Sequence, residues 1–221
     1  MAGSVGDKIL AGVGGQPVFY HSLKAFSASG VVSHYTVVYR DDAQKAVLQK
    51  IAGDASLGSL LIDWVQGGAE RQDSVSRALE AQQPDCGFVY IHDCARPLVS
   101  VRALHALRDA VRHDSAAVLA HPVKDTIKRV PVGQDLRKAK LEDLDRSRLW
   151  AMETPQAFAF PLIAEAYRMV AQKRLCVTDD TAVAALLGKP VTIVPNPDPN
   201  PKITTPADLE LVALLIAGSA K

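Results

Sequence analysis

Phe88-Val-Tyr-Ile-His92, Asp93-Cys-Ala-Arg-Pro97, a helical stretch from Ser100 to His113, then Ala116-Ala-Val-Leu-Ala-His-Pro122: this run of the 221-residue chain decides the fold. Two short apolar runs flank a segment with helical spacing that opens on a capping serine, the pattern of parallel strands joined by a crossover helix. The same alternation continues in both directions. Val37 to Tyr39, Leu60 to Val65 and Val191 to Val194 read as further strands. Pro17 to Phe26, Asp41 to Ile51, Arg71 to Ala81, Phe160 to Lys173, Thr178 to Leu187 and Thr205 to Ala217 read as helices. The expectation is one α/β domain over residues 1–221.

One stretch, 122–150, breaks the alternation. A strand-like Val123-Lys-Asp-Thr-Ile-Lys-Arg-Val130 is followed by a turn at Pro131-Val-Gly133 and a polar return. It has too little apolar surface for a core of its own and too much β character for disorder, so it reads as a hairpin arm that needs a partner to pack on. Pro195-Asn-Pro-Asp-Pro-Asn-Pro201 reads as a rigid, extended loop.

Composition narrows the function. With 48% hydrophobic residues the chain can bury a sizeable core. Lysine and arginine total 25 against 24 acids, so there is no global positive field for nucleic acid or a membrane surface, and anions must be held by local cations. Cys86, Cys94 and Cys176 cannot all pair and lack metal-type spacing, which suits a reducing cytoplasm. The longest apolar runs are far short of the ~20 residues that span a bilayer. The amino-terminal residues show no secretory pattern.

Several residue groups carry possible chemistry. Asp93 should emerge at the carboxyl end of a strand, where open α/β sheets bind ligands, and an aspartate there suits Mg²⁺ bridging nucleotide phosphates. The same residues would also serve as a turn cap with Arg96 as its ion-pair partner. His92 reads as a hydrogen-bonded structural histidine, and Cys94 as a small neutral side chain. Gly67-Gly-Ala-Glu-Arg-Gln-Asp-Ser-Val75 places two glycines between a strand and a helix, where the backbone can approach a base or phosphate and Ser74 can hydrogen-bond to it. Lys202 precedes a helix start, a favourable place to meet an anion, although a solvated loop lysine would look alike. Thr126, Arg146, Thr154 and Thr178 supply hydroxyls and a fork-shaped cation of the kind that recognises a phosphomonoester, though threonines also cap helices and populate strands.

Taken in order, seven segments resemble the 2-C-methyl-D-erythritol 4-phosphate cytidylyltransferase family of the non-mevalonate isoprenoid route. They are Gly14-Gly-Gln-Pro-Val18 with His21-Ser-Leu23, Glu70-Arg-Gln-Asp-Ser-Val75, His92-Asp-Cys-Ala-Arg-Pro97, Val123-Lys-Asp-Thr-Ile-Lys-Arg129, Leu149-Trp-Ala-Met-Glu-Thr-Pro-Gln156, Thr178-Asp-Asp180 and Lys202-Ile-Thr-Thr-Pro206. The resemblance implies a Rossmann-like, doubly wound, mostly parallel sheet, a homodimer whose hairpin arms embrace, and Mg²⁺-dependent transfer of CMP from CTP with release of pyrophosphate. It implies catalytic roles for Lys8, Lys202 and Asp93, with Asp93 holding the metal. Gly68, Ala69 and Ser74 would line the cytidine site, although the family often has aspartate where Ala69 stands. Thr126 and Arg146 would reach into the partner subunit's site to bind the acceptor phosphate, joined by Arg96, Thr154, Thr178 and Lys202. A sibling enzyme acting on ribitol 5-phosphate or another polyol phosphate would share the CTP site, and a non-catalytic nucleotide-binding homologue is the alternative from another class.

The family pattern opens with a strand and an Ala-Ala-Gly-x-Gly-x-Arg-Met type loop. Here Met1 aligns with that loop's methionine and Lys8 with a later lysine; a second alignment makes Ala2-Gly-Ser4 the glycine loop but deletes residues before Lys8. Either way the strand and the loop arginine lie outside this sequence. Without that strand the sheet should expose two strand edges and an apolar slot. The expectation is a start codon assigned too late and a cellular protein longer by ~15 to 20 residues, a strand plus a loop, which mass spectrometry of the native amino terminus would check.

Overall fold

Leu104, Leu107 and Val111 fall on one face of a helix and are fully buried, and the strand that follows, Ala116 to Ala120, is buried on both faces. That unit sets the frame. The computed structural model describes residues 7–133 and 135–219; Met1 and Ala2 to Ser4, on which the loop alignments rest, lie outside them. The strands are β1 (Gly12–Val13), β2 (Gln16–Pro17), β3 (Tyr35–Tyr39), β4 (Ile62–Gln66), β5 (Phe88–Ile91), β6 (Ala116–Pro122), β7 (Lys128–Arg129), β8 (Glu142–Asp143), β9 (Trp150–Ala159) and β10 (Thr192–Pro195). The helices are α1 (Val18–Ser29), α2 (Asp42–Ala52), α3 (Arg71–Glu80), α4 (Val101–Asp114), α5 (Phe160–Lys173), α6 (Asp180–Ala185) and α7 (Pro206–Ser219). Among the described residues no helix is long and apolar enough to cross a membrane.

Helix starts follow side-chain chemistry. Asp41, Ser100 and Asp179 each accept a hydrogen bond from a first-turn amide, and Glu70 with Asp73 forms a reciprocal capping box at α3. At α6 the cap is Asp179, the residue next to Thr178.

The main sheet has the order β10-β6-β9-β5. β10 is parallel to β6, while β9 runs antiparallel to both β6 and β5, so all but β9 share one sense. The sequence reading left β9 out; the strands are mostly of one sense, as expected, with the single reversed strand β9 in the interior of the sheet. Helices α4 and α5 bury their apolar faces against it, through Leu104, Leu107 and Val111 on one side and Ile163, Ala166 and Tyr167 with Phe158 on the other. β3 and β4 form a separate parallel pair. Between β3 and β5 lies a cavity of about 790 Å³.

Residues 122–150 leave the sheet and return to it. Pro122 pairs with Trp150, β7 pairs with β8, and between them the chain exposes Val132, Leu136 and Leu141. Apolar side chains on so thin a hairpin have no core within the described protomer to bury them.

Candidate active site

Asp93 stands immediately past β5, at the carboxyl ends of the strands. Lys202 Nζ donates to its Oδ2 at 2.6 Å, and Arg71 Nε donates to its Oδ1 at 3.3 Å. Burial pushes the Asp93 carboxyl up, but the Lys202 hydrogen bond and the charges of Arg71 and Lys202 outweigh it and hold the group below the usual carboxylate range. Asp93 is therefore ionised and clamped between two cations. Its backbone N–H donates to Thr154 Oγ1 at 3.0 Å, which ties the turn after β5 to β9.

His92 supports this turn from beneath. Its Nε2 lies 3.2 Å from the Arg96 carbonyl oxygen and its Nδ1 3.2 Å from Thr154 Oγ1. A carbonyl only accepts, so Nε2 carries the proton and Nδ1 accepts from the Thr154 hydroxyl. Burial lowers the His92 pKa to about 4, which keeps this neutral tautomer at physiological pH. Burial also pushes the Cys94 thiol up to about 12, so it is no nucleophile. Both side chains are structural, as the sequence suggested.

The loop that delivers Lys202 is held by a buried carboxylate. Glu153 is 2% exposed; its Oε2 accepts from the side-chain amides of Asn196 at 2.9 Å and Asn200 at 2.8 Å, and its Oε1 pairs with His121 Nδ1 at 2.6 Å. Arg96 Nη1 donates to the Asn200 carbonyl at 2.7 Å, and Ile203 N donates to the Ala95 carbonyl at 2.8 Å. The proline-rich segment is thus stapled from both sides just before Lys202. Arg96 Nε is buried without a hydrogen-bond partner. Burial lowers the Arg96 pKa against the raising pull of Glu153 and Asp93.

A second carboxylate lies behind the first. Asp180, fully buried, receives Arg71 through Nη1 at 3.1 Å and Nη2 at 2.7 Å, and Tyr167 donates its hydroxyl at 2.5 Å. Arg71 therefore bridges Asp180 and Asp93. Burial alone would lower its pKa, and the Asp180 ion pair more than reverses that.

Of the residues expected at the site, Asp93, Lys202, Thr154 and Arg96 come together. Thr178 adjoins them through its neighbours, two residues ahead of Asp180. Gly68, Ala69 and Ser74 form the turn between β4 and α3, and part of its chemistry is internal: Ser74 Oγ accepts from Gly68 N at 3.0 Å. A Cβ on Gly68 would come within 2.3 Å of Asp73 Cβ, so glycine is required there by packing on the protein's own helix. Lys8 lies in the turn at residues 7–10; the ion-pair partners of Asp93 are Arg71 and Lys202, not Lys8. Thr126 and Arg146 are exposed on the hairpin, where Arg146 Nη1 donates to the Lys124 carbonyl at 2.7 Å. No bond within the protomer joins them to the Asp93 cluster among the described residues.

The sequence reading assigned no role to Arg71, Asp180, Glu153, Asn196 or Asn200. Arg71 carried a usable signal. A cation in the first turn of a helix opposes the helix dipole, so its placement calls for an anionic partner nearby.

The model of the 2-C-methyl-D-erythritol 4-phosphate cytidylyltransferase family matches residues 2–217. A relative of that name from Pelotomaculum thermopropionicum is 40% identical over 206 residues, covering 91% of this chain and 83% of its own length. One from Clostridium beijerinckii is 36% identical and covers 97% and 92%. Among solved structures, the 2-C-methyl-D-erythritol 4-phosphate cytidylyltransferase from Thermus thermophilus is similar with a TM-score of 0.79 at 30% identity, covering 97% of this chain and 96% of that one. The 4-diphosphocytidyl-2C-methyl-D-erythritol synthase from Anaerococcus prevotii gives 0.85 at 25% identity, covering 97% and 95%. With a clamped aspartate at the strand ends and a match that runs nearly end to end, the chain belongs to the 2-C-methyl-D-erythritol 4-phosphate cytidylyltransferase family.

Proposed function

We propose that the protein transfers the cytidylyl group of CTP to 2-C-methyl-D-erythritol 4-phosphate and releases pyrophosphate. The observation that carries this is the Asp93 clamp, one ionised carboxylate with Lys202 and Arg71 on its two oxygens and Arg96 close by. In the reaction an ionised oxygen of the acceptor phosphate bonds to the α-phosphorus, and the bond to the bridging α–β oxygen breaks with its electron pair leaving on pyrophosphate. Both reactants are polyanions, so repulsion is the first barrier: like charges ~4 Å apart cost ~4 kcal/mol at an effective dielectric of ~20. Lys202, free to swing from Asp93 to a phosphate, offsets that repulsion and stabilises the five-coordinate phosphorus. No general base is needed, because the attacking oxygen already lacks its proton.

The donor set fits Mg²⁺ that arrives with the nucleotide. Among the described residues no group of three or more His, Cys, Asp or Glu side chains could cage an ion, and Mg²⁺ binds through one or two carboxylates with phosphate and water completing its shell. Asp93 would be that carboxylate, and the ion would supply neutralising charge at the nucleotide phosphates.

The acceptor assignment is tested by measuring pyrophosphate release from CTP with Mg²⁺. Release is expected with 2-C-methyl-D-erythritol 4-phosphate and at least ~100-fold less efficiently with ribitol 5-phosphate, since a pocket built to hydrogen-bond one polyol penalises another. The reverse preference overturns the acceptor. CTP binding without release for any acceptor overturns catalysis.

Thr126 and Arg146 act, in this reading, in the site of a second copy, and the hairpin 122–150 is the dimerisation arm. The exposed Val132, Leu136 and Leu141 on that hairpin support it. Subunits carrying Lys202→Ala and subunits carrying Arg146→Ala should each be inactive alone. Mixed and re-equilibrated, they should recover about a quarter of wild-type activity, since half the dimers are mixed and one of their two sites is intact. No recovery from two inactive variants would place Arg146 in its own protomer's site, and an Arg146→Ala variant active alone would place it outside any site.

A further inference from the structure

Pro195-Asn-Pro-Asp-Pro-Asn-Pro201 alternates proline with a short polar residue and ends directly before Lys202. Its burial is the reverse of what a surface loop shows. Pro195, Pro197 and Pro199 are exposed, while Asn196 and Asn200 are buried at 6% and 5% exposure. Each proline fixes its own φ, holds the residue before it extended and offers no N–H, so the segment is a stiff strut whose attachment falls largely to its polar residues. All three are tied down. Asn196 N donates to the Ala120 carbonyl at 2.8 Å, and Asp198 accepts from Ser100 Oγ at 2.7 Å and from Arg102 Nη2 at 2.5 Å. The side-chain amides of Asn196 and Asn200 converge on one atom, Glu153 Oε2, and Asn200 Nδ2 also donates to the Thr154 carbonyl at 3.1 Å.

Burying a carboxylate in an interior strand costs free energy, and hydrocarbon would fill the position at lower cost. Hydrocarbon would give the two asparagines no acceptor. An ionised carboxylate takes both amides on one oxygen and leaves the other for His121, as Glu153 does here. We propose that Glu153 is a positioning residue for Lys202: through Asn196 and Asn200 it anchors the proline strut whose end carries the lysine. The connection is short. Asn200 stands two residues before Lys202, and on the other side Ile203, fully buried, donates its N–H to the Ala95 carbonyl at 2.8 Å. The backbone is thus fixed on both sides of Lys202, and only its side chain has to move. The inference rests on the role given to Lys202 above and adds what holds that residue in place.

A kinetic cycle separates positioning from mere support of the fold. A reacting group displaced by ~1 Å can lose ~10²-fold in rate, so Glu153→Ala should lower kcat by about that factor while the KM for CTP changes less than about threefold. In a Lys202→Ala background, read at raised enzyme concentration, the same change should cost less than about threefold, because the group it positions is gone. Glu153→Gln should keep most of the rate, since its side-chain oxygen can accept from both asparagines and its amide can donate to His121 Nδ1. Amide exchange at Asn196 and Ile203 should quicken in Glu153→Ala. Asn200→Ala removes the anchor nearest Lys202 but leaves Glu153 bonded to Asn196 and His121, and it carries the same comparison where Glu153→Ala does not fold. The proposal is overturned by an equal rate loss in both backgrounds, by a wild-type rate in Glu153→Ala, by a Glu153→Gln rate as low as that of Glu153→Ala, or by unchanged exchange at Asn196 and Ile203. A near wild-type rate in Lys202→Ala alone would instead overturn the role of Lys202, so the two failures are told apart.

Discussion

Replacing Lys202 with alanine should lower kcat/KM by ~10³-fold, the loss expected when ~4 kcal/mol of charge stabilisation leaves a transition state. The side chain is 39% exposed and its ion pair among the described residues is with Asp93, which keeps Arg71 on its other oxygen. A partly exposed ion pair contributes at most about 1 kcal/mol to folding, so the melting temperature should hardly move. Activity and stability therefore separate at this residue. Lys202→Arg should recover part of the rate, because the charge returns with a different reach. Steady-state kinetics beside a thermal melt checks both halves: a Lys202→Ala rate within about threefold of wild type, in a protein that releases pyrophosphate, contradicts the proposed role.

The sequence disclosed the strands and helices whose patterns are local. It could not disclose β9. Trp150-Ala-Met-Glu-Thr-Pro-Gln-Ala-Phe-Ala159 carries a glutamate, a glutamine and a proline where an interior strand should be apolar, and proline cannot donate to a ladder. The register resolves this. Val118 pairs with Gln156 and Ala120 with Met152, so four steps on β9 span two on β6, and Glu153, Thr154 and Pro155 fall in the irregularity. There the missing N–H of Pro155 costs no ladder bond, and the bulge frees Glu153 and Thr154 to point at the site. Their burial is satisfied by partners far away in sequence: Asn196 and Asn200 for Glu153, and the Asp93 amide for Thr154. Gln156, also buried, accepts from Thr181 N and donates to Asp179. No local pattern encodes such pairings.

The site was legible to the same extent. Asp93 and Lys202 could be singled out because a strand end and a helix start are local signals, and in the structure the two side chains meet. The staple behind Lys202 and the Arg71 bridge depend on tertiary proximity.

The Arg71 bridge leads to the largest stability effect. Asp180 has no exposed side-chain surface and satisfies three donors, two from Arg71 and one from Tyr167. Asp180→Ala leaves a partly buried guanidinium and a buried hydroxyl without their acceptor, a change that costs about 3 kcal/mol or more. At the roughly 2 to 4 °C per kcal/mol typical of a chain this long, the melting temperature should fall by about 10 °C. Removing both charges should be milder: in Arg71→Met with Asp180→Leu, hydrocarbon replaces the pair and no charge is stranded, so much of the stability returns. Activity should not return with it, because Arg71 is also the cation on Asp93 Oδ1. The double variant should therefore melt well above Asp180→Ala yet turn over at least ~10²-fold more slowly than wild type, the scale of losing one oriented charge at a reacting phosphate. If stability and rate recover together, Arg71 serves the fold alone; if neither recovers, the pair is irreplaceable in packing, and its link to Asp93 explains nothing further.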